Sequence, residues 1–117
     1  MNIETFRDHC LAKAGVTETF PFDDVTLVFK VKGKIFALTS LDEAVLKINL
    51  KCDPERALHL RETHDCVRPG YHMSKKHWNT IAVDGSVKSR LLLEWIDHSY
   101  ELVVASLPRK IRAELPA

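Results

Sequence analysis

Between Val67 and Thr80 the chain sets Arg68, His72, Lys75, Lys76 and His77 beside Tyr71 and Trp78. Guanidinium and ammonium groups attract phosphate or carboxylate. Tyrosine and tryptophan add flat stacking faces and hydrogen-bond donors. The same residues also have a purely structural reading. Trp78 can open a strand and pack in the core, Tyr71 can pin the loop, and Lys75 and Lys76 can form a solvated face. Metal chemistry is the weaker reading. His72 and His77 have Cys66 upstream and Asp84 as the nearby carboxylate, but neither a helical His-Glu-x-x-His nor paired cysteines accompany them, and no metal is expected.

Enzymatic readings fare no better. The sequence contains no Gly-x-Ser-x-Gly elbow, no phosphate-binding glycine loop and no dinucleotide fingerprint. With 4 glycines, a backbone cradle for phosphates is hard to build. A Cys66–His72 nucleophile pair lacks an orienting third group. Asp97-His98-Ser99 has the residue types of a triad, but consecutive helix residues point in different directions, and the segment reads as an exposed helix turn with Tyr100 packed nearby. No cofactor and no catalytic activity are expected.

Charge narrows the choice. The 117 residues carry a net charge of +1, with 45% hydrophobic and 28% charged residues, which suits one ordinary folded domain spanning 1–117. The charge alternates along the chain: net −3 over 1–29, +3 over 30–51, −2 over 52–66, +4 over 67–90 and −1 over 91–117. Nucleic-acid binders usually have a pI above about 9, against about 7.8 here, so any anion site must be local. Cys10, Cys52 and Cys66 form no Cys-x-x-Cys pair and read as small buried apolar residues. Apolar runs such as Leu91–Leu93 are far below the roughly 20 residues of a membrane span. Met1–Asp8 has no signal-peptide core, so a soluble cytoplasmic protein is expected.

The elements that must position the 67–80 stretch follow from periodicity. Ile3, Phe6 and Cys10, with Leu11 and Ala14, make a first helix, capped by Asn2 and ended at Gly15. Thr17–Asp24 reads as a connection. Strands are expected at about 25–32, 35–40, 45–51 and 78–83, with Gly33 in a hairpin turn. In the third of these, Leu46, Ile48 and Leu50 alternate with Lys47, Asn49 and Lys51. Asp53-Pro54-Glu55 starts a helix that runs to about His64. Ser86 is expected to cap the longest helix, 87–105, whose stripe includes Trp95 and should bury it on the sheet. Pro108–Leu115 is a short last helix. The order indicates an α+β fold, a mainly antiparallel sheet with helices packed on it.

At Asp65-Cys66-Val67-Arg68-Pro69-Gly70-Tyr71-His72-Met73-Ser74-Lys75-Lys76-His77-Trp78-Asn79-Thr80, and again at Asp97-His98-Ser99-Tyr100-Glu101-Leu102-Val103-Val104-Ala105-Ser106-Leu107-Pro108, the chain resembles the MmcQ/YjbR family of small bacterial proteins. The resemblance covers essentially the whole chain. Arg-Pro, His-x-x-Lys-x-His-Trp and Ser-Tyr are its family-specific pieces. It implies a CyaY-like (YjbR-type) fold and a double-wing DNA-binding motif, and no catalytic residues carry over from it. Together with the basic segments, it implies weak, non-specific DNA contact. Lys30, Lys32, Lys34, Lys47 and Lys51 on a basic sheet face, with Arg68, Lys75, Lys76, His72 and His77, would meet phosphates, and Tyr71 and Trp78 would stack on bases or enter the minor groove. This requires Lys30, Lys32 or Lys34 to share a surface with Arg68 and Lys75. The alternative is a protein-interaction or small-anion-binding module using the same loop.

Overall fold

The structure, a computed structural model, describes residues 1–71 and 73–116. Its elements are α1 (Ile3–Leu11), β1 (Val16–Thr19), β2 (Thr26–Val31), β3 (Lys34–Ser40), β4 (Lys47–Lys51), α2 (Pro54–Thr63), β5 (Val67–Pro69), β6 (Trp78–Ala82), α3 (Ser89–Ser106) and α4 (Arg109–Arg112). The strands form one sheet in the order β1-β2-β3-β4-β6-β5, and every pairing is antiparallel. The fold is α+β, as the sequence pattern indicates.

Local chemistry explains most of the boundaries. Asn2 accepts from the Thr5 N–H at 2.8 Å and starts α1. Asp53 caps α2, with Pro54 in the first turn. Lys32 (φ +50°) and Gly33 (φ +85°) form a two-residue hairpin turn in the left-handed region, which matches the twist of β2 and β3. The start of α3 differs from expectation. Ser86 does not cap it; its N–H and hydroxyl both bond to Asp84 at 2.9 and 2.6 Å, and the helix begins at Ser89 with no side-chain cap. Two strands also escape the periodicity. β1 is four residues, Val-Thr-Glu-Thr, with no fully buried position, and β5 is three. Both are edge strands, and Pro69 is tolerated in β5 because an edge leaves one side of the backbone unpaired.

All the helices that reach the sheet cover one face. Phe6 of α1 packs edge-on against Phe29 at 5.4 Å. The Ala57 carbonyl of α2 accepts from the buried Asn79 amide at 3.4 Å, and Trp95 of α3 is 5% exposed within the core. Among the described residues no helix lies on the opposite face. None of the helices among the described residues is long and apolar enough to cross a membrane.

One irregularity governs the sheet. Phe29 pairs with Ala37 but Lys30 pairs with Ile35, so Phe36 is an extra, bulged residue. Phe36 turns into the core against Tyr100, with ring centroids 5.4 Å apart. The β3–β4 ladder stops at Ala37–Leu50. Beyond it the Lys51 N–H donates to Ser99 Oγ at 2.8 Å, and the Ser99 hydroxyl donates to the Phe36 carbonyl at 2.5 Å. Ser99 therefore replaces a missing rung. The expectation of an exposed Asp97–Ser99 turn fails here, since Ser99 is fully buried. The three side chains do diverge. Asp97 pairs with Lys13 and with His9, the latter at 2.7 Å, and His98 Nε2 accepts from the Asp53 N–H at 3.3 Å. Burial pushes the Asp97 carboxyl up, but Lys13 and His9 outweigh it and hold the group below the usual carboxylate range.

Ser99→Ala strands a buried N–H and a buried carbonyl, and should cost about 1–3 kcal/mol in urea unfolding with an unchanged m-value. Trp95→Ala should cost about 3–5 kcal/mol by the same measurement.

Candidate nucleic-acid interface

Cross-strand partners share a face, so the ladders define what the uncovered face carries. One row runs Thr19, Val28, Leu38, Asn49, Thr80 and Arg68. The flanking rows add Lys30 with Ile35, Lys51 with Trp78, and Lys47 with Ala82. The strands thus point four cations, Lys30, Lys47, Lys51 and Arg68, to the uncovered face and no carboxylate. Glu18, the one acidic strand residue, faces the helices and pairs with Arg7 at 2.6 Å.

The expected grouping of Lys30, Lys32 and Lys34 does not hold. The bulge at Phe36 reverses the alternation along β3, so Lys34 turns to the helix side, where its amino group reaches the Ser106 carbonyl at 3.5 Å. Lys32 sits in the hairpin turn, 3.8 Å from the Glu114 carboxylate. Lys30 alone of the three shares the face with Arg68. From β2 to β5 the two side chains are separated by roughly 19 Å across four strand spacings.

The β5–β6 connection, described at 70–71 and 73–77, sets Tyr71 and Met73 over this face. Gly70 lets it pass closely: a Cβ there would lie 2.7 Å from Trp78 Cβ and 3.0 Å from the Trp78 carbonyl oxygen. The Tyr71 N–H donates to Thr80 Oγ1 at 3.2 Å, and that hydroxyl bonds to Asn49 Oδ1 at 2.5 Å. The Lys75 amino group donates to the Gly70 carbonyl at 3.2 Å, so this lysine ties the loop to itself. Lys76 is exposed and His77 half-buried, with the His77 carbonyl accepting from the Cys52 N–H at 2.7 Å. Trp78 is half-buried beneath the loop. His72 lies outside the described residues.

Arg61 holds the loop from below, a role the sequence pattern does not reveal. Its Nε donates to Asn79 Oδ1 at 2.7 Å, and its Nη2 reaches the Lys75 carbonyl and, at 3.3 Å, the Trp78 carbonyl. A guanidinium can serve this fan of acceptors because its donors are fixed in one plane.

Tyr71, 71% exposed, stands between two grooves. One, about 470 Å³, is lined by Lys47, Arg68, Glu43 and Thr80; Glu43 lies 3.7 Å from the Lys47 amino group. The other, about 450 Å³, is floored by Ile35, Leu38 and Thr26 and walled by Phe22, Asp23 and Met73. Phe22, 67% exposed, comes from the segment read as a mere connection; the signal there was Phe20-Pro21-Phe22, two aromatics around a turn-forming proline. The Thr26 and Val25 N–H groups and the Thr26 hydroxyl hold the Asp23 carboxyl below the usual carboxylate range, so it is ionised at neutral pH.

The cysteines lie away from this chemistry or beneath it. All three are buried and free. Burial pushes the Cys10 thiol up to about 12, which makes it a poor nucleophile. Among the described residues no group of three or more His, Cys, Asp or Glu side chains is placed to hold a metal.

Comparison with known proteins places these features in context. The YjbR family model matches residues 11–102. The chain is 37% identical over 107 residues to the uncharacterized protein YbdF of Escherichia coli O157:H7, covering 92% of this chain and 88% of that protein. It is 34% identical over 112 residues to the uncharacterized protein YjbR of Escherichia coli K12, covering 96% and 95%. Among solved structures, the Deinococcus radiodurans protein DR2400, with a DUF419 domain, superimposes with a TM-score of 0.92 at 42% identity, covering 97% of this chain and 86% of that one. A Pseudomonas syringae protein superimposes with a TM-score of 0.75 at 28% identity, covering 87% and 98%.

Arg61→Lys keeps the charge but cannot serve Asn79, Lys75 and Trp78 together. It should destabilise the domain by about 1.5–3 kcal/mol and speed amide exchange at His77 and Trp78 more than in β2, as read by hydrogen–deuterium exchange.

Proposed function

The chain belongs to the YjbR family, and on that footing we propose that it is a non-enzymatic DNA-binding module that holds phosphates on the uncovered face of its sheet. The observation that carries this reading is the sorting of charge: Lys30, Lys47, Lys51 and Arg68 project there from four strands, while the strand carboxylate Glu18 is turned to the helices. The strands of a nearly neutral chain thus carry their cations to one face, where the loops add Glu43, 3.7 Å from Lys47, and Asp23 at the groove walls. The segments 20–25 and 70–77, rising around the groove over Ile35 and Leu38, act in this reading as the two wings that the family resemblance implies.

Binding is weak and nearly independent of sequence. α2 and α3 are both engaged by the sheet, so neither is free to enter a major groove as a recognition helix. Phosphate contact alone gives dissociation constants of about 10⁻⁴–10⁻⁶ M at physiological salt. The groove holding Lys47 and Arg68 also supports the rival reading, a small-anion or protein-interaction site. That reading predicts saturable binding of inorganic phosphate with no gain from a longer polyanion.

Titration of labelled duplex DNA by fluorescence anisotropy separates the two. With about four phosphate contacts, log affinity should fall against log salt with a slope of about −3 to −4. Lys47→Ala or Arg68→Ala should each make the slope shallower by about one and weaken all sequences alike. Absence of binding to duplex and to single-stranded DNA alike at low salt, or binding indifferent to both substitutions, would refute the DNA reading.

A further inference from the structure

We infer that the preferred ligand is single-stranded DNA, with its phosphates over β4, β6 and β5 and its bases turned into the groove over β2 and β3. The inference rests on the phosphate-binding reading above and narrows its ligand.

The face is divided chemically along its width. The groove on the β5 side has Lys47 and Arg68 in its lining against one carboxylate, Glu43, 3.7 Å from the Lys47 amino group, so its charged residues sum to a net positive. The groove on the β2 side is apolar along its floor, has no Lys or Arg among the described residues of its lining, and carries the ionised Asp23 on its wall. An anion is favoured in the first and repelled from the second. A nucleic-acid strand offers the matching pair: a charged backbone on one side and flat, largely apolar bases with amino hydrogens on the other. One strand spacing, about 5 Å, separates β4 from β3, which is of the order of the offset between a nucleotide's phosphate and its base.

The aromatics point to unstacked bases. Phe22 and Tyr71 come from different loops, border the same groove, and are 67% and 71% exposed. Two largely exposed rings bordering one groove, beside the groove that holds Lys47 and Arg68, mark a contact site. Aromatic side chains stack freely on bases already released from a helix, with little regard to sequence, whereas wedging into a duplex carries the cost of unstacking each base step. A duplex keeps its bases inside and would meet these rings as projections in the way of its backbone. An acidic peptide with apolar residues could also span the two grooves, and the test admits that outcome.

The experiment compares three labelled ligands at one low salt concentration: oligothymidylate of about twelve nucleotides, within the range of single-strand site sizes, an abasic oligonucleotide of the same length, and a duplex of the same length. Oligothymidylate should bind at least about tenfold more tightly than the abasic strand, whose phosphates are equal in number, and more tightly than the duplex. The double variant Phe22→Ala, Tyr71→Ala should bring oligothymidylate to the abasic level while leaving the salt slope on the abasic strand unchanged; Arg68→Ala should weaken both strands. The wild-type comparison stands whether or not the double variant is fully folded, and its thermal melt checks that. Equal affinity for thymidylate and abasic strands, or a preference for duplex, overturns the single-strand inference and leaves the phosphate reading intact. Failure of all three ligands to bind removes both readings, and direct binding of a labelled acidic apolar peptide in that case assigns the face to a protein.

Discussion

The surplus residue at Phe36 is the constraint on which the rest of the architecture depends. Inserting one residue into β3 opposite the Phe29–Lys30 step puts Phe36 and Ala37 both on the helix side. That gives the core an aromatic where strict alternation would have placed it in water. It also breaks the ladder to β4, because the Phe36 carbonyl and the Lys51 N–H no longer meet. The hydroxyl of Ser99 closes that gap from α3. Helix and sheet are thereby joined by hydrogen bonds as well as by apolar contact, and the position of α3 along the sheet is fixed at one residue. Isolated buried polar groups are costly, so this bridge has little freedom to shift.

The same insertion shapes the uncovered face. Downstream of the bulge, Leu38 and Ser40 keep the parity set by Ala37; upstream, Ile35 is moved to the uncovered face and Lys34 away from it. Ile35 then joins Leu38 as the apolar floor of one groove. Lys34 leaves the basic patch for the C-terminal end of α3. A single backbone irregularity thus adds an apolar side chain, Ile35, to this face and removes a cation, Lys34, from it. The two grooves are kept apart by the 70–77 loop, whose height above the sheet is set by Arg61, Lys75 and the bare Gly70.

Charge segregation of this kind is invisible in a net charge of +1. Acidic and basic segments alternate along the chain, yet the fold places the helices on one side and leaves the strand cations on the other. The electrostatic field a ligand meets is set by that arrangement, because screening confines the influence of exposed charges to about 8–10 Å. Groups on the helical layer are therefore muted at the opposite face.

The sequence by itself determined what depends on short-range pattern. The antiparallel α+β class, the caps Asn2 and Asp53, the hairpin at Gly33, the alternation of Lys47, Asn49 and Lys51, and the burial of Trp95 all follow from periods of 2 and 3.6 and from local turn chemistry. What it could not carry are features defined by partners distant along the chain. β1 and β5 are too short to show a period and exist because β2 and β6 offer them an edge. Ser99 reads as one polar residue on a helix until Phe36 and Lys51, 63 and 48 residues away, supply its partners. Arg61 reads as a surface charge until the loop closes over it. The direction of Lys34 inverts because a bulge changes parity, and a bulge is decided by what the core must hold, which only the assembled tertiary structure expresses.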